Sequence, residues 1–218
     1  MKQRVFFFSG MGADDRAFKY LELTDVDPVY INWIKPQKNE QLHAYAMRLI
    51  QGWELTKDDI LIGLSMGGLI IQEIASVIPV KKIILISSLR SGEQLRPLFT
   101  AAQKLQLLNL VQEDLLKSAI LSGAKFILPS KKERYKLMVD MLDQYDGAYY
   151  KWAMNQVLHW KGVKVACPID HVHGDKDEVF PVSLVKDAVI VKGGTHLMVA
   201  VKAKEVSEVL QKFISAPA

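Results

Sequence analysis

A single cysteine, Cys167, stands in 218 residues. That excludes an internal disulfide and agrees with a reducing cytoplasm. Beside Pro168 at an apparent strand start, Cys167 reads as a small core residue rather than a nucleophile. Nowhere does the chain carry the ~20 consecutive apolar residues of a membrane-spanning helix. The N-terminal run Val5-Phe6-Phe7-Phe8, behind Lys2 and Arg4, is too short for an export signal, which needs an apolar stretch of about 7–15 residues. Internal repeats, low-complexity tracts and linker-like Pro/Ser runs are all missing. So is a dominant charge. The net charge is +4, and basic residues mix with acidic ones, as where Lys131-Lys132 runs into Glu133. That is a solvated helix face, not a nucleic-acid stripe. The expectation is a soluble, cytoplasmic protein with neither nucleic-acid nor membrane partners.

What is present is an ordinary globular composition, 50% hydrophobic and 24% charged. A single domain of this length buries roughly 70% of the surface its unfolded chain exposes, so it needs no staples. Short apolar runs predict strands over 4–8, 29–34, 60–63, 82–87, 169–173 and 188–191. Helical spacing predicts helices over 15–23, 40–52, 66–78 and 202–214, the second with Leu42, Tyr45, Ala46, Leu49 and Ile50 on one face. Strands alternating with helices imply a mostly parallel sheet covered on both faces.

The alternation breaks between residues 88 and 162. Leu105, Leu108, Val111, Leu115 and Leu116 recur at helical spacing, and Ser130 with Glu133 makes a capping box for a helix reaching Gln144. Asp146-Gly147 is a turn before a third helix over 148–160, and Phe126-Ile127-Leu128 is ambiguous. The division expected is an α/β core of 1–87 and 163–218, with 88–162 a helical cap. An insertion after a parallel strand emerges at the sheet's carboxyl edge, where ligands bind in open α/β folds.

Three signals converge on that edge. Gly63-Leu64-Ser65-Met66-Gly67 is a G-x-S-x-G sequence between a predicted strand and a predicted helix. A sharp turn there lifts the serine hydroxyl above the sheet, and the flanking glycines remove side chains that would strike neighbouring backbone. A serine needs a base. Of the five histidines, His43 and His159 fall within predicted helices, whereas His196 stands in a Gly-rich loop directly after the last strand. For the acid, the loop after the preceding strand offers Asp175, Asp177 and Glu178. Oxyanion donors are expected from the backbone N–H of Met66, just after the serine, and of Met11 in Ser9-Gly10-Met11-Gly12 after the first strand.

These pieces, with Gly174-x-x-Asp177 before Pro181 and Gly194-Thr195-His196, resemble the α/β-hydrolase superfamily along nearly the whole chain. The resemblance implies a catalytic triad of Ser65 as nucleophile, Asp177 as orienting acid and His196 as general base. It prefers Asp177 to Asp175 because the family's acid usually lies three residues after that glycine. The family's usual His-Gly after the first strand is Ser9-Gly10 here, and its first hairpin is missing, so about six strands are expected.

Other chemistries fit less well. His171-x-His173-x-Asp175 resembles the metal-binding start of metallo-β-lactamase-like hydrolases, but Lys176 stands where that family has a histidine, and only His196 follows. His171 and His173 are expected instead to line or support a pocket. Gly10-Met11-Gly12 lacks the third glycine of a dinucleotide-binding turn, Asp15 occupying its place, and no Gly-Lys-Ser/Thr is present for a P-loop. The reading is a cofactor-independent serine hydrolase of the carboxylesterase or thioesterase kind, cleaving a small ester or thioester through an acyl-enzyme. A non-catalytic or very slow binding protein on the same fold, an acyltransferase and a lyase are the alternatives.

Overall fold

The computed structural model describes residues 2–95, 111–127 and 132–217. Six strands, β1 Gln3–Phe8, β2 Val26–Ile31, β3 Ile60–Leu64, β4 Lys82–Ile86, β5 Ile169–Gly174 and β6 Val189–Val191, form one sheet in the order β2-β1-β3-β4-β5-β6. Every neighbouring pair is parallel. The apolar runs of β1, β3 and β4 do not alternate with polar residues because both faces are covered. Phe6, Phe8, Leu61, Ile83 and Leu85 belong to one buried cluster, and Val5, Phe7, Ile60, Ile62, Ile84 and Ile86 to the other.

Helices α1 Leu42–Leu49 and α2 Met66–Ala75 cover the first face. All five α1-face residues predicted from spacing are buried in that cluster. Helix α7, Ala203–Ser215, closes the second face with Val206, Leu210 and Ile214 at i, i+4 and i+8. It is preceded by the short α6, Met198–Val201. Between β4 and β5 lie α3 Glu113–Ile127, α4 Lys132–Leu142 and α5 Gly147–His159. The Asp146 side chain caps α5 by accepting from the Tyr149 amide at 2.8 Å. Leu105, Leu108, Leu128 and the predicted cap Ser130 lie outside the described residues. Phe126 and Ile127 end α3 rather than forming a strand.

Two predicted elements differ. The helix predicted over 15–23 shrinks to a 3-10 turn, Asp15–Phe18. Farther along, the Glu22 amide donates to Ser207 Oγ and the Thr24 amide to Gln211 Oε1, so α7 side chains take bonds that a helix would have kept. The second strand begins three residues early and includes Pro28, which is tolerated because β2 is an edge strand.

Strand order opens a crevice in this sheet. β2 lies on one side of β1 and β3 on the other, so the loops after β1 and β3 leave in opposite directions and part at their carboxyl ends. Gly10 and Ser65 are the residues that meet there.

Candidate active site

Ser65 sits between β3 and α2 with φ 52° and ψ −118°. For a non-glycine residue this is a sparsely populated conformation that the surroundings must enforce. Its amide continues the ladder to the Ile86 carbonyl at 2.9 Å, and its carbonyl accepts from Ser88 Oγ at 2.7 Å. A Cβ on Gly63 would stand 2.5 Å from Gly67 and Gly68 backbone atoms, and one on Gly67 would collide with the Phe8 and Ser9 carbonyl oxygens. Both glycines of the pentapeptide are therefore demanded by close backbone approach.

His196 occupies the loop after β6. Its Nε2 lies 2.9 Å from Ser65 Oγ, and its Nδ1 lies 2.9 Å from Asp177 Oδ2 and 3.1 Å from Oδ1. Asp177 is buried, and its Oδ1 also accepts from the Val179 amide at 2.9 Å and the Phe180 amide at 2.7 Å. Burial on its own would raise the Asp177 carboxyl, but the His196 ring, the Phe180 amide and His173 more than offset it and hold the group below the ordinary aspartate range. An ionised Asp177 accepts only, so His196 carries its proton on Nδ1 and turns the Nε2 lone pair toward the serine hydroxyl.

The acids of this loop divide their tasks. Asp175 accepts from the Gly193 amide at 2.6 Å and ties the β5 loop to the His196 loop. Glu178 is exposed and accepts from the His196 amide at 3.3 Å. Asp177 alone meets the imidazole.

The loop after β1 is braced from three sides. Ser9 Oγ donates to the Ala13 carbonyl at 2.7 Å, Trp33 Nε1 donates to the Gly10 carbonyl at 3.0 Å, and the Gly12 amide donates to the Tyr149 hydroxyl at 3.3 Å. A Cβ on Gly10 would stand 3.4 Å from that of Ser65. Met11 and Met66 line the same cavity as Ser65 and His196.

That cavity has a volume of about 290 Å³, at the small end of ligand pockets. Beyond Ser65 and His196 it is walled almost entirely by apolar groups, including Leu137, Met138 and Met141 of α4 and Met154 and Val157 of α5. Sequence periodicity does not single out these wall residues. It separates a buried face from an exposed one, but a pocket-lining residue and a core residue have the same period. Ser88 could have been anticipated. Leu64 pairs with Ile86, so the residues just after β4 lie beside those just after β3.

Of the remaining histidines, neither His171 nor His173 lines the cavity. His173 is buried and donates from Nε2 to the Phe180 carbonyl at 2.7 Å, bracing the turn that holds Asp177. Burial, with His173 as neighbour, pushes the His171 pKa down to about 3 and keeps that ring neutral. No group of three or more metal-ligating side chains occurs among the described residues. Cys167 is half-buried against the first core cluster.

No family model matches the chain, and no curated protein matches it in sequence. Solved structures do resemble it. An esterase from Exiguobacterium antarcticum superposes with a TM-score of 0.74 at 15% identity, covering 98% of this chain and 92% of that one. A bromoperoxidase from Bacillus anthracis gives 0.65 at 16%, covering 99% and 93%. MenH from S. aureus gives 0.67 at 18%, covering 97% and 93%. At such identities the likeness speaks for architecture alone. With its six parallel strands, its helices on both faces and these neighbours, the chain has the α/β-hydrolase fold.

Proposed function

We propose that the protein is a serine hydrolase that cleaves a small carboxylic ester or thioester through an acyl-enzyme intermediate. The observation that carries this reading is the continuous relay from Asp177 through His196 to Ser65, with both contacts at 2.9 Å. Esterases among the structural neighbours point the same way.

In this reading His196 Nε2 takes the Ser65 proton as Oγ attacks the carbonyl carbon. The carbonyl oxygen becomes an oxyanion held by the Met66 and Met11 backbone N–H groups. One such donor is worth about 3–4 kcal/mol of transition-state stabilisation. The imidazolium then gives its proton to the departing alcohol or thiol, leaving Ser65 acylated. Water enters, His196 takes its proton, and the same steps release the acid and free Ser65. Asp177 holds the ring in the required tautomer and stabilises the imidazolium. No cofactor takes part. Residues 88–162 act as a cap that contributes walls to the cavity, over a core of 1–87 and 163–218.

The test is intact mass after exposure to a fluorophosphonate, with Ser65→Ala and His196→Ala in parallel. A single adduct mapping to Ser65, absent in the first variant and slowed by orders of magnitude in the second, is the expected result. No adduct, where a control hydrolase is labelled, would overturn the hydrolase reading and leave a binding protein.

A further inference from the structure

The cavity beside Ser65 is apolar, yet two permanent charges reach it, Arg16 and Arg134. They are not equivalent. Arg16 is paired with Asp14, with Nε at 2.9 and 3.0 Å from the two carboxylate oxygens and Nη2 at 2.6 Å from Oδ2. Burial would raise the Asp14 carboxyl, but the Arg16 contacts and Gln144 outweigh it and keep the group ionised, so the two charges cancel.

Arg134, in the first turn of α4, has no carboxylate or hydrogen-bond partner among the described residues. What it has is a ring. Its guanidinium carbon lies 4.7 Å from the centroid of Tyr20, which also lines the cavity. A cation–π contact uses the positive charge without taking up an N–H donor, so the guanidinium keeps donors available for a carboxylate, which its fork geometry matches. The contact also restrains a side chain that binding would otherwise have to order. The nearby acid on the same helix, Asp140, is engaged by Lys136 at 2.9 Å.

We infer that the preferred substrate is an ester or thioester whose apolar acyl chain ends in a carboxylate, and that Arg134 binds that carboxylate while the other end of the chain lies at Ser65. The reaction rests on the hydrolase reading above; the binding does not. Two features of the cavity fit the assignment together. Its apolar wall accepts the methylene chain, and its one uncompensated arginine accepts a charge that the wall would otherwise reject. Hydrolysis consumes one water and yields a dicarboxylate, the alcohol or thiol and a proton.

The experiment separates binding from turnover. Calorimetry on Ser65→Ala protein compares the monoamide of adipic acid, which carries a carboxylate, with hexanamide, which does not. The anion is expected to bind about tenfold more tightly at low salt, as a charge-assisted hydrogen bond to a half-exposed arginine warrants. Adding Arg134→Gln should abolish the preference, and Arg134→Lys should restore part of it. Equal affinities for the two amides would overturn the inference, as would a preference that survives Arg134→Gln. Wild-type protein is then assayed on monophenyl adipate and phenyl hexanoate. The ratio of their kcat/KM values should favour the adipate, mainly through KM, and fall about tenfold in Arg134→Gln, in line with the binding arm. Binding preference without turnover of either ester would sink the hydrolase reading and leave the anion site standing. Turnover of both esters without preference would do the reverse.

Discussion

Asp177→Asn tests the relay without removing any heavy atom from it. In the wild type Oδ1 accepts from two backbone amides and Oδ2 faces His196 Nδ1. The asparagine oxygen must take the Oδ1 position, because an NH2 there would oppose two N–H donors. Its NH2 then points at Nδ1 and selects the tautomer in which Nδ1 has no proton. Nε2 carries the proton instead and cannot accept one from Ser65. Reaching the productive tautomer loses a charge-assisted hydrogen bond, worth about 1.5–3 kcal/mol, and leaves buried donors opposed at about 1–3 kcal/mol each. The lower ends of these ranges already sum to roughly 3.5 kcal/mol, which corresponds to a loss of kcat of at least about 300-fold. The assay is hydrolysis of a chromogenic ester, with circular dichroism and thermal melting to show that the fold is retained. Asp175→Asn is the matched control, since an amide oxygen still accepts from Gly193, and its rate should stay within several-fold of wild type. A folded Asp177→Asn protein keeping more than about a tenth of the wild-type rate would refute the tautomer argument.

Gly67→Ala should destabilise the protein by about 1–3 kcal/mol, because the new methyl collides with the Phe8 and Ser9 carbonyl oxygens and backbone must shift to admit it. Urea unfolding checks this, and an unchanged midpoint would mean that the turn at Ser65 is packed more loosely than its contacts imply. A third prediction concerns acid. Burial tends to raise the Asp59 carboxyl, but Arg4, at 2.6 and 2.7 Å, and the Thr56 amide, at 2.6 Å, hold it below its ordinary value. A depressed folded-state pKa contributes stability that is full above the unfolded value, about pH 4, and is lost as pH falls through the folded value. The urea midpoint should therefore drop more steeply on acidification in wild type than in Asp59→Asn, and parallel curves would count against the ion pair.

The parts of this molecule that could be read from its sequence are those where one local pattern has one physical cause. Ile60-Leu61-Ile62 before a Gly-rich turn could only be a buried strand. His196 and Asp177 each follow a strand at the same edge, and parallel topology brings such loops together whatever lies between. Patterns with two causes were less legible. The apolar residues after Asp15 have helical spacing, but tertiary bonds from Ser207 and Gln211 decide the backbone there. The acids Asp175 and Asp177 share a strand parity, so only three-dimensional geometry separates the residue that ties the loop from the one that meets the imidazole. Arg134 and Tyr20 are distant in sequence and surrounded by other charged residues, and no periodicity marks their contact.

Ser65 and His196 lie 131 positions apart, and His196 hangs from a three-residue strand at the edge of the sheet. Their 2.9 Å contact closes a long stretch of chain and needs both the β3 turn and the far edge of the sheet in place. On the proposed chemistry, labelling of Ser65 is therefore expected only once both have formed. A fluorophosphonate added during refolding would time the completion of the whole domain, where fluorescence or circular dichroism would record only its parts.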